Sequence, residues 1–292
     1  MGTLDGRVAV VTGAGRGIGR AHALLLAQEG AAVVVNDLGG NNEGDGSDAA
    51  PAQQVVDEIT AAGGRASASA ANVATWDGAK SLIDQAVSQF GDLHILVNNA
   101  GILRDAFVAA MTEEQWDSVI AVHLKGHFST LHHAAEYWKG RTKAGEQVAA
   151  SVINTASASG TFMPNAGQAN YGAAKAGIAA MTQVAAMELD RYGVRVNAIA
   201  PVARTRLTLA TPGMGAIFAA EVPEGEFDAF DPSNIAPVVG YLAQEKCPIN
   251  GAVFAVQGGA IQTLKGWEVE QTIESDGPWT VDGLSQTLPA IV

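Results

Sequence analysis

Short aliphatic runs alternate along this chain with longer stretches in which apolar side chains recur at helical spacing. The short runs fall at 7–11, 32–36, 66–70, 95–97, 151–155, 195–199 and 253–256. Most of them lack a polar face, the mark of strands covered on both sides. Helical spacing occupies 18–29, 53–62, 76–90, 113–139, 171–191 and 233–245. Strict alternation of this kind requires right-handed crossovers, so the pattern predicts an α/β fold: a doubly wound, seven-stranded parallel sheet with helices on both faces.

Three segments interrupt the alternation. Residues 39–51 are rich in Gly, Asn and Asp and are expected to form a surface loop after the second strand. Residues 203–230 form a long connection after the sixth strand, above the crevice where such sheets bind ligands, and are expected to act as a lid. Residues 266–292 follow the last strand without a clear period. The expected organisation is one domain over 1–265 with an extension at 266–292 that lines the pocket or contacts another subunit.

Composition narrows the function classes. The chain is 48% hydrophobic and 16% charged, with 34 glycines, which suits a large core and many tight turns. Its net charge of −13 and lack of a basic run argue against nucleic acid and anionic membrane surfaces. Cys247 is the single cysteine, which excludes an intrachain disulfide and fits a reducing, cytoplasmic setting. Asp5 and Arg7 leave no room for an N-terminal apolar leader, and no apolar run approaches the roughly 18 residues of a membrane span.

The first strand runs into Thr12-Gly13-Ala14-Gly15-Arg16-Gly17-Ile18-Gly19, and a helix follows at once. Glycines there let the backbone approach a pyrophosphate and set it on the positive end of the helix, so the fold is expected to be Rossmann-type and dinucleotide-binding. The spacing is TGxxxGxG rather than GxGxxG. Asp37 closes the second strand, where a carboxylate accepts hydrogen bonds from ribose hydroxyls and repels a 2′-phosphate. Arg16 points the other way, as a guanidinium that can pair with such a phosphate. The balance favours NAD over NADP, because an unpaired carboxylate against a phosphate dianion costs more than a flexible arginine returns.

Four motifs stand in order on the right elements: TGxxxGxG at residues 12–19, Asn98-Asn99-Ala100-Gly101 after the fourth strand, Ser157 after the fifth, and Tyr171-Gly172-Ala173-Ala174-Lys175. Over residues 5–262 the chain resembles the short-chain dehydrogenase/reductase family. The resemblance implies a nicotinamide cofactor held by Gly13, Arg16, Gly17, Ile18, Gly19, Asp37, Asn72, Val73, Asn99, Ala100, Gly101, Pro201 and Val202, with Tyr171 and Lys175 at its nicotinamide end. It implies Ser157, Tyr171, Lys175 and His123 as the catalytic group.

The chemistry accounts for these residue types. An alcohol that loses hydride must also lose a proton, so a base is needed at its oxygen. Tyr171 and Lys175 share a helix face one turn apart. A cation about 4 Å away is worth roughly 4 kcal/mol at an effective dielectric of 20, about three pKa units, and is expected to draw the tyrosine towards neutrality. Ser157 is expected to hold the substrate oxygen. The family's usual serine spacing falls on Ala158; anchoring on Gly160 selects Ser157, with Ser159 as the alternative. His123 stands where many members carry an asparagine that links a water path to the lysine. His123 and His127, with His132 and His133 beyond, are spaced as metal ligands could be, but no third ligand is evident and no metal is expected.

Within the family the chain is similar to the (3R)-hydroxyacyl-CoA dehydrogenase units of type 2 multifunctional β-oxidation enzymes, also termed 17β-hydroxysteroid dehydrogenases of type 4. The carrying segments are residues 35–40, 98–105, 122–124, 157–160, 167–171 and 201–208. The resemblance implies NAD-linked interconversion of a secondary alcohol and a ketone, with a 3-hydroxyacyl thioester as substrate. A hydroxysteroid, an acyl-carrier-protein thioester for reduction, and a non-catalytic NAD-binding role are the alternatives. Leu207, Leu209, Met214, Ile217 and Phe218 in the lid suit a lipid-like substrate, and Arg104, Arg204, Arg206 and Lys265 are candidates to gather around CoA phosphates. The helix after Tyr171 is small or apolar nearly all round, so a second copy is expected to cover it in a homodimer or homotetramer.

Overall fold

The computed structural model describes residues 2–211, 215–220, 222–223 and 225–291. In chain order the elements are β1 (Val8–Thr12), α1 (Gly17–Gln28), β2 (Ala32–Asn36), α2 (Ala50–Ala61), β3 (Arg65–Ser69) and α3 (Trp76–Phe90). Then come β4 (Ile95–Asn98), α4 (Glu113–Ile120), α5 (Gly126–Lys143), β5 (Ala150–Thr155), α6 (Ala169–Leu189) and β6 (Val194–Pro201). The chain ends with α7 (Arg206–Ala210), α8 (Gly215–Phe218), α9 (Ala236–Ala243), β7 (Val253–Gln257), β8 (Ala260–Leu264) and α10 (Val281–Thr287).

The sheet order is β3-β2-β1-β4-β5-β6-β7-β8, with β1 to β7 parallel. β1, β2, β4 and β5 are buried along their whole length, the polar Ser151, Asn154 and Thr155 of β5 included. One face packs on Leu26 of α1, Val55 and Ile59 of α2 and Val239 and Leu242 of α9. The other packs on Leu82 of α3, Leu131 and Trp138 of α5 and Ala185 of α6. The strand order reverses between β1 and β4, which opens a crevice at the carboxyl ends of these two strands.

Two expectations change. The sheet has an eighth strand: β8 pairs antiparallel with β7 through the two-residue Gly258-Gly259 turn, Gly258 taking φ +52°. The Gly-Gly pair is a hairpin signal that the exposed, weakly patterned residues after it conceal. The single helix expected over 113–139 is broken, because α4 and α5 are joined by a π-helical turn, Ala121–Lys125, that carries His123. Such insertions re-aim a side chain without ending the helix.

A chain of buried amides and hydroxyls joins the layers. Thr130 Oγ1 donates to Asn98 Oδ1 at 2.7 Å, Asn98 Nδ2 to Asn154 Oδ1 at 3.1 Å and Asn154 Nδ2 to Thr182 Oγ1 at 3.0 Å. These bonds tie β4 and β5 to α5 and α6. After β8 the chain passes Gln183 of α6 and runs exposed, with Trp267 fully solvent-accessible, to α10.

Asn154→Ala removes the middle of that chain while leaving the backbone unchanged. It is expected to cost about 1–3 kcal/mol, from the unpaired buried groups left on Asn98 and Thr182. A shift in the urea midpoint measures it; an unchanged midpoint would count against the network.

Candidate active site

The glycine loop is held open from below. Ala14 N donates to the Asn36 carbonyl at 2.8 Å, pinning the loop to β2. Asn99 Nδ2 donates to the carbonyls of Thr12 and Gly13, both at 3.1 Å, while Thr12 Oγ1 accepts from the N–H groups of Asn99 and Ala100 at 2.9 and 3.0 Å. A Cβ at Gly19 would lie 2.1 Å from the Gly13 carbonyl oxygen, so no larger residue fits there. Arg16 caps α1 without a side-chain hydrogen bond, and no acidic residue occupies the first turn. The positive helix end thus faces the cavity through Gly17, Ile18 and Gly19, a cradle fitted to the pyrophosphate of a dinucleotide.

Asp37 hooks the loop from the side. Its Oδ2 accepts from Gly15 N at 2.8 Å and its Oδ1 from Gly39 N at 2.7 Å. Arg16 and Arg206 both reach the Gly40 carbonyl nearby, at 3.4 and 3.2 Å. Burial lowers the pKa of Arg206, and the neighbouring Arg16 adds to this while Asp37 opposes it. The 39–51 segment is more than a surface loop: Gly40, Asn41 and Gly44 line the cavity, and residues from Ala50 onward belong to α2.

The cavity encloses about 270 Å³ and runs from Asp37 past Asn72, Val73, Asn99, Ala100 and Gly101 to His123, Tyr171, Lys175 and Pro201. Lys175 is buried, and its Nζ donates to the Thr155 carbonyl at 2.6 Å; burial brings its pKa down to about 7. Its Nζ lies 5.5 Å from the centroid of the Tyr171 ring. The expectation of a tyrosine drawn towards neutrality does not hold in this state. Burial raises the pKa of Tyr171, a hydrogen bond with Ser157 pulls it down, and the charge of Asp105 pushes it further up. Lys175 spends its nearest contact on a backbone carbonyl rather than on the phenol.

Ser157 leaves β5 in an extended conformation, and its Oγ accepts from Ser159 N at 3.2 Å. Ser159 Oγ is bound elsewhere, donating to Gln168 Oε1 at 3.0 Å, which separates the two serines. His123 Nε2 is 2.8 Å from the Ile102 carbonyl and 3.0 Å from its N–H, and its ring stands edge-on to Tyr171 with centroids 5.1 Å apart. Burial, aided by Lys175, pushes its pKa down to about 3, so the ring is neutral. Its Nδ1 is buried without a protein partner, and Nε2 is taken up by the backbone.

Ser157 and Val202 do not themselves line the cavity, although Ser157 hydrogen-bonds the side chain of Tyr171, which does. The Val202 N–H, just past β6, donates to the Val256 carbonyl at 2.9 Å, which leaves only its carbonyl and side chain for a cofactor. The expected cation cluster also dissolves. Arg104 pairs with Asp45 and Glu114, Arg204 with Asp228 and Lys265 with Glu268, leaving Arg206 in the cavity wall. Of the lid residues Leu207 lines the cavity, whereas Phe218 is buried against Phe230 at 5.0 Å and Leu209 and Ile217 are exposed. Met214 lies outside the described residues. His132 and His133 approach Glu136 at 3.3 and 3.6 Å beside the Trp76 ring, so the third possible ligand that the sequence does not show is Glu136.

Sequence reasoning missed the roles of Thr12, Thr155 and the Thr205 cap. Thr205 Oγ1 accepts from Thr208 N at 3.2 Å and opens α7 over the cavity, a capping signal legible in Thr205-Arg206-Leu207-Thr208. The Thr155 carbonyl carries no side-chain signal at all.

These features define the class. The chain belongs to the short-chain dehydrogenase family, whose model matches residues 7–210. It is 42% identical to hydroxyacyl-CoA dehydrogenase ChsB1 of Mycobacterium tuberculosis, over 98% of this chain and 88% of that protein. It is 44% identical to peroxisomal multifunctional enzyme type 2 of Drosophila melanogaster, over 90% of this chain but 40% of that longer protein. A crystal structure of a short chain dehydrogenase from Mycobacterium avium superposes with a TM-score of 0.87 at 50% identity, covering 99% of this chain and 95% of that one. Family and fold make the chain an oxidoreductase that acts on CH–OH groups with a nicotinamide dinucleotide. Among the described residues no helix is long and apolar enough to cross a membrane.

Three histidines are held neutral by burial: His22 and His123 at about 3, and His127 well below its ordinary 6.5. The unfolded chain binds their protons below about pH 6.5 and the folded chain does not, so stability is complete above that value and falls as pH drops towards 3. Between about pH 7.5 and 5.5 the three together are expected to remove about 4 kcal/mol. Urea unfolding at the two pH values measures this; equal stabilities would contradict the buried, neutral assignment.

Proposed function

We propose that the chain oxidises the hydroxyl of a 3-hydroxyacyl thioester, reversibly and with NAD. The observation that carries this reading is one cavity with Asp37 at one end and Tyr171 and Lys175 at the other. The similarity to a hydroxyacyl-CoA dehydrogenase across nearly the whole chain supports the substrate class.

When bound, the nicotinamide ring supplies the hydride acceptor or donor. The helix end at Gly17–Gly19 and the Asn99–Gly101 turn would hold the dinucleotide, and the doubly anchored Asp37 would receive its ribose. Ser157 Oγ hydrogen-bonds the substrate oxygen, and Tyr171 Oη takes the hydroxyl proton as the carbon gives up hydride. Lys175 supplies the positive charge that favours the phenolate, held in place by the Thr155 carbonyl. His123 acts as a neutral group: it orders the Ile102 backbone and the Tyr171 ring, and its free Nδ1 is available to a water on the proton path. Residues 1–265 form the catalytic unit, and the exposed 266–292 extension, with Trp267 and Val269 bare, packs on the pocket or on a second copy. That copy also covers the outer face of α6, where Val184 and Met187 are exposed. The single buried cysteine suits a reducing, cytoplasmic setting.

Asp37 decides between the cofactors. NAD is expected to exceed NADP in kcat/KM by about 100-fold, and Asp37→Ala is expected to erase that gap by leaving Arg16 and Arg206 to meet a 2′-phosphate. Steady-state kinetics with both cofactors test this; a wild-type preference for NADP would overturn it. Tyr171→Phe is expected to lower kcat for a 3-hydroxyacyl-CoA by at least about 1000-fold. Unchanged activity, or turnover of hydroxysteroids alone by the wild type, would sink the reading.

A further inference from the structure

The loop after β4 and the start of α6 are stitched together more closely than a chain crossing requires. Asn170 Nδ2 donates to the Arg104 carbonyl at 3.0 Å, Ala106 N to the Gly167 carbonyl at 2.9 Å and Gln168 Nε2 to Asp105 Oδ2 at 2.9 Å. Gln168 is buried and caps α6 three residues before Tyr171. Its Oε1 accepts from Ser159 Oγ at 3.0 Å, so a single amide clips the Ser157–Ser159 turn to a carboxylate. Asp105 Oδ1 is buried and has no protein partner.

We propose that Asp105 and Gln168 form a positioning pair that fixes the turn carrying Ser157 against the helix carrying Tyr171 and sets a negative charge beside the phenol, counter to Lys175. The inference rests on the reading of Tyr171 as the base. A carboxylate costs free energy when half-buried with one oxygen unpaired, and an asparagine or serine would satisfy the same amide without that cost. Burial does raise the pKa of Asp105, and the hydrogen bond from Gln168 holds it down. The charge of Asp105 in turn raises that of Tyr171. The other groups facing the phenol are Lys175 from α6, His123 from the π turn and Ser157 from the β5–α6 loop. Burial keeps His123 uncharged at neutral pH; the phenol is raised first by its own burial and then by the charge of Asp105, with Lys175 Nζ 5.5 Å from its ring centroid as the facing cation. Arg104 is committed to Asp45 and Glu114 and does not neutralise its neighbour.

The consequence for the reaction is a proton held back. With Asp105 ionised, Tyr171 keeps its proton to a higher pH, which widens the pH range in which the tyrosine is poised to donate to a ketone and leaves the overall equilibrium unchanged.

Two variants move the charge in opposite directions: one keeps an acceptor for Gln168, and the other replaces the Gln168–Asp105 hydrogen bond with a second acid. D105N preserves an oxygen to accept from Gln168 and removes the charge; Q168E keeps an acceptor for Ser159 and adds an acid beside Asp105. The pH profile of alcohol oxidation by the full-length enzyme is the readout, with the thermal midpoint checked in parallel and the pH-dependent phenolate absorbance, taken as the difference from Y171F, as a second measurement independent of turnover. D105N is expected to move the rising limb about half a pH unit to the acid side, a roughly threefold gain on that limb, with KM within about twofold of the wild type. Q168E is expected to move it to the alkaline side. A uniform loss of kcat with an unmoved midpoint in both variants would reduce the pair to a structural contact and overturn the proposal. Should D105N unfold, an unmoved or acid-shifted profile in Q168E overturns it alone. Failure of the base assignment shows separately, as activity surviving in Y171F.

Discussion

A lysine ammonium held 2.6 Å from a backbone carbonyl, in a position shut off from water, is the constraint on which the site turns. Burying such a group costs several kcal/mol unless something in the fold receives it, and here the receiver is the last residue of β5. The bond therefore fixes α6 against the end of the central sheet. Everything that α6 presents to the cavity, Tyr171 first, inherits its position from that contact. The same burial that secures the lysine also brings its pKa down to about 7, so near neutral pH the amine is divided between its charged and uncharged forms.

The rest of the site follows a common principle: polar side chains are used up holding backbone, and the backbone faces the ligand. Thr12 and Asn99 bind each other's main chain and leave the glycine loop and the turn after β4 pointing into the cavity. Asp37 spends both carboxylate oxygens on glycine N–H groups and still carries its charge at the rim. His123 spends Nε2 on Ile102. The π turn makes this possible, because it brings the ring inward without interrupting the helix that packs on β4 and β5. Rigidity bought in this way leaves few side chains free to rearrange, which suits a site that must hold two reactants in register.

Much of this was legible in the sequence because it depends on periodicity and glycine spacing. The seven parallel strands, the glycine loop, Asp37, and Tyr171 one turn before Lys175 all leave local signatures. What escaped the sequence depends on long-range contacts. Nothing near Thr155 announces a lysine arriving from twenty residues away, and nothing near Val202 says that its N–H closes a ladder with Val256. The Gly258-Gly259 hairpin was readable but lay beyond the last clearly apolar run, and the break at His123 was hidden because a π turn preserves the helical pattern on either side. The Tyr171 shift runs opposite to the sequence expectation for a physical reason: burial of the phenol comes first, and the charge of Asp105 adds to it.

The protonation state of Lys175 is the most direct measure of how the site is built. Isotope labelling of lysine, with Lys175→Met used to assign the signal, allows its titration to be followed by NMR in the ligand-free protein. A midpoint near 7 is the result expected of an ammonium buried against the Thr155 carbonyl. A midpoint at the ordinary lysine value of 10.5 would mean that the side chain is solvated, and would contradict the architecture described for the site.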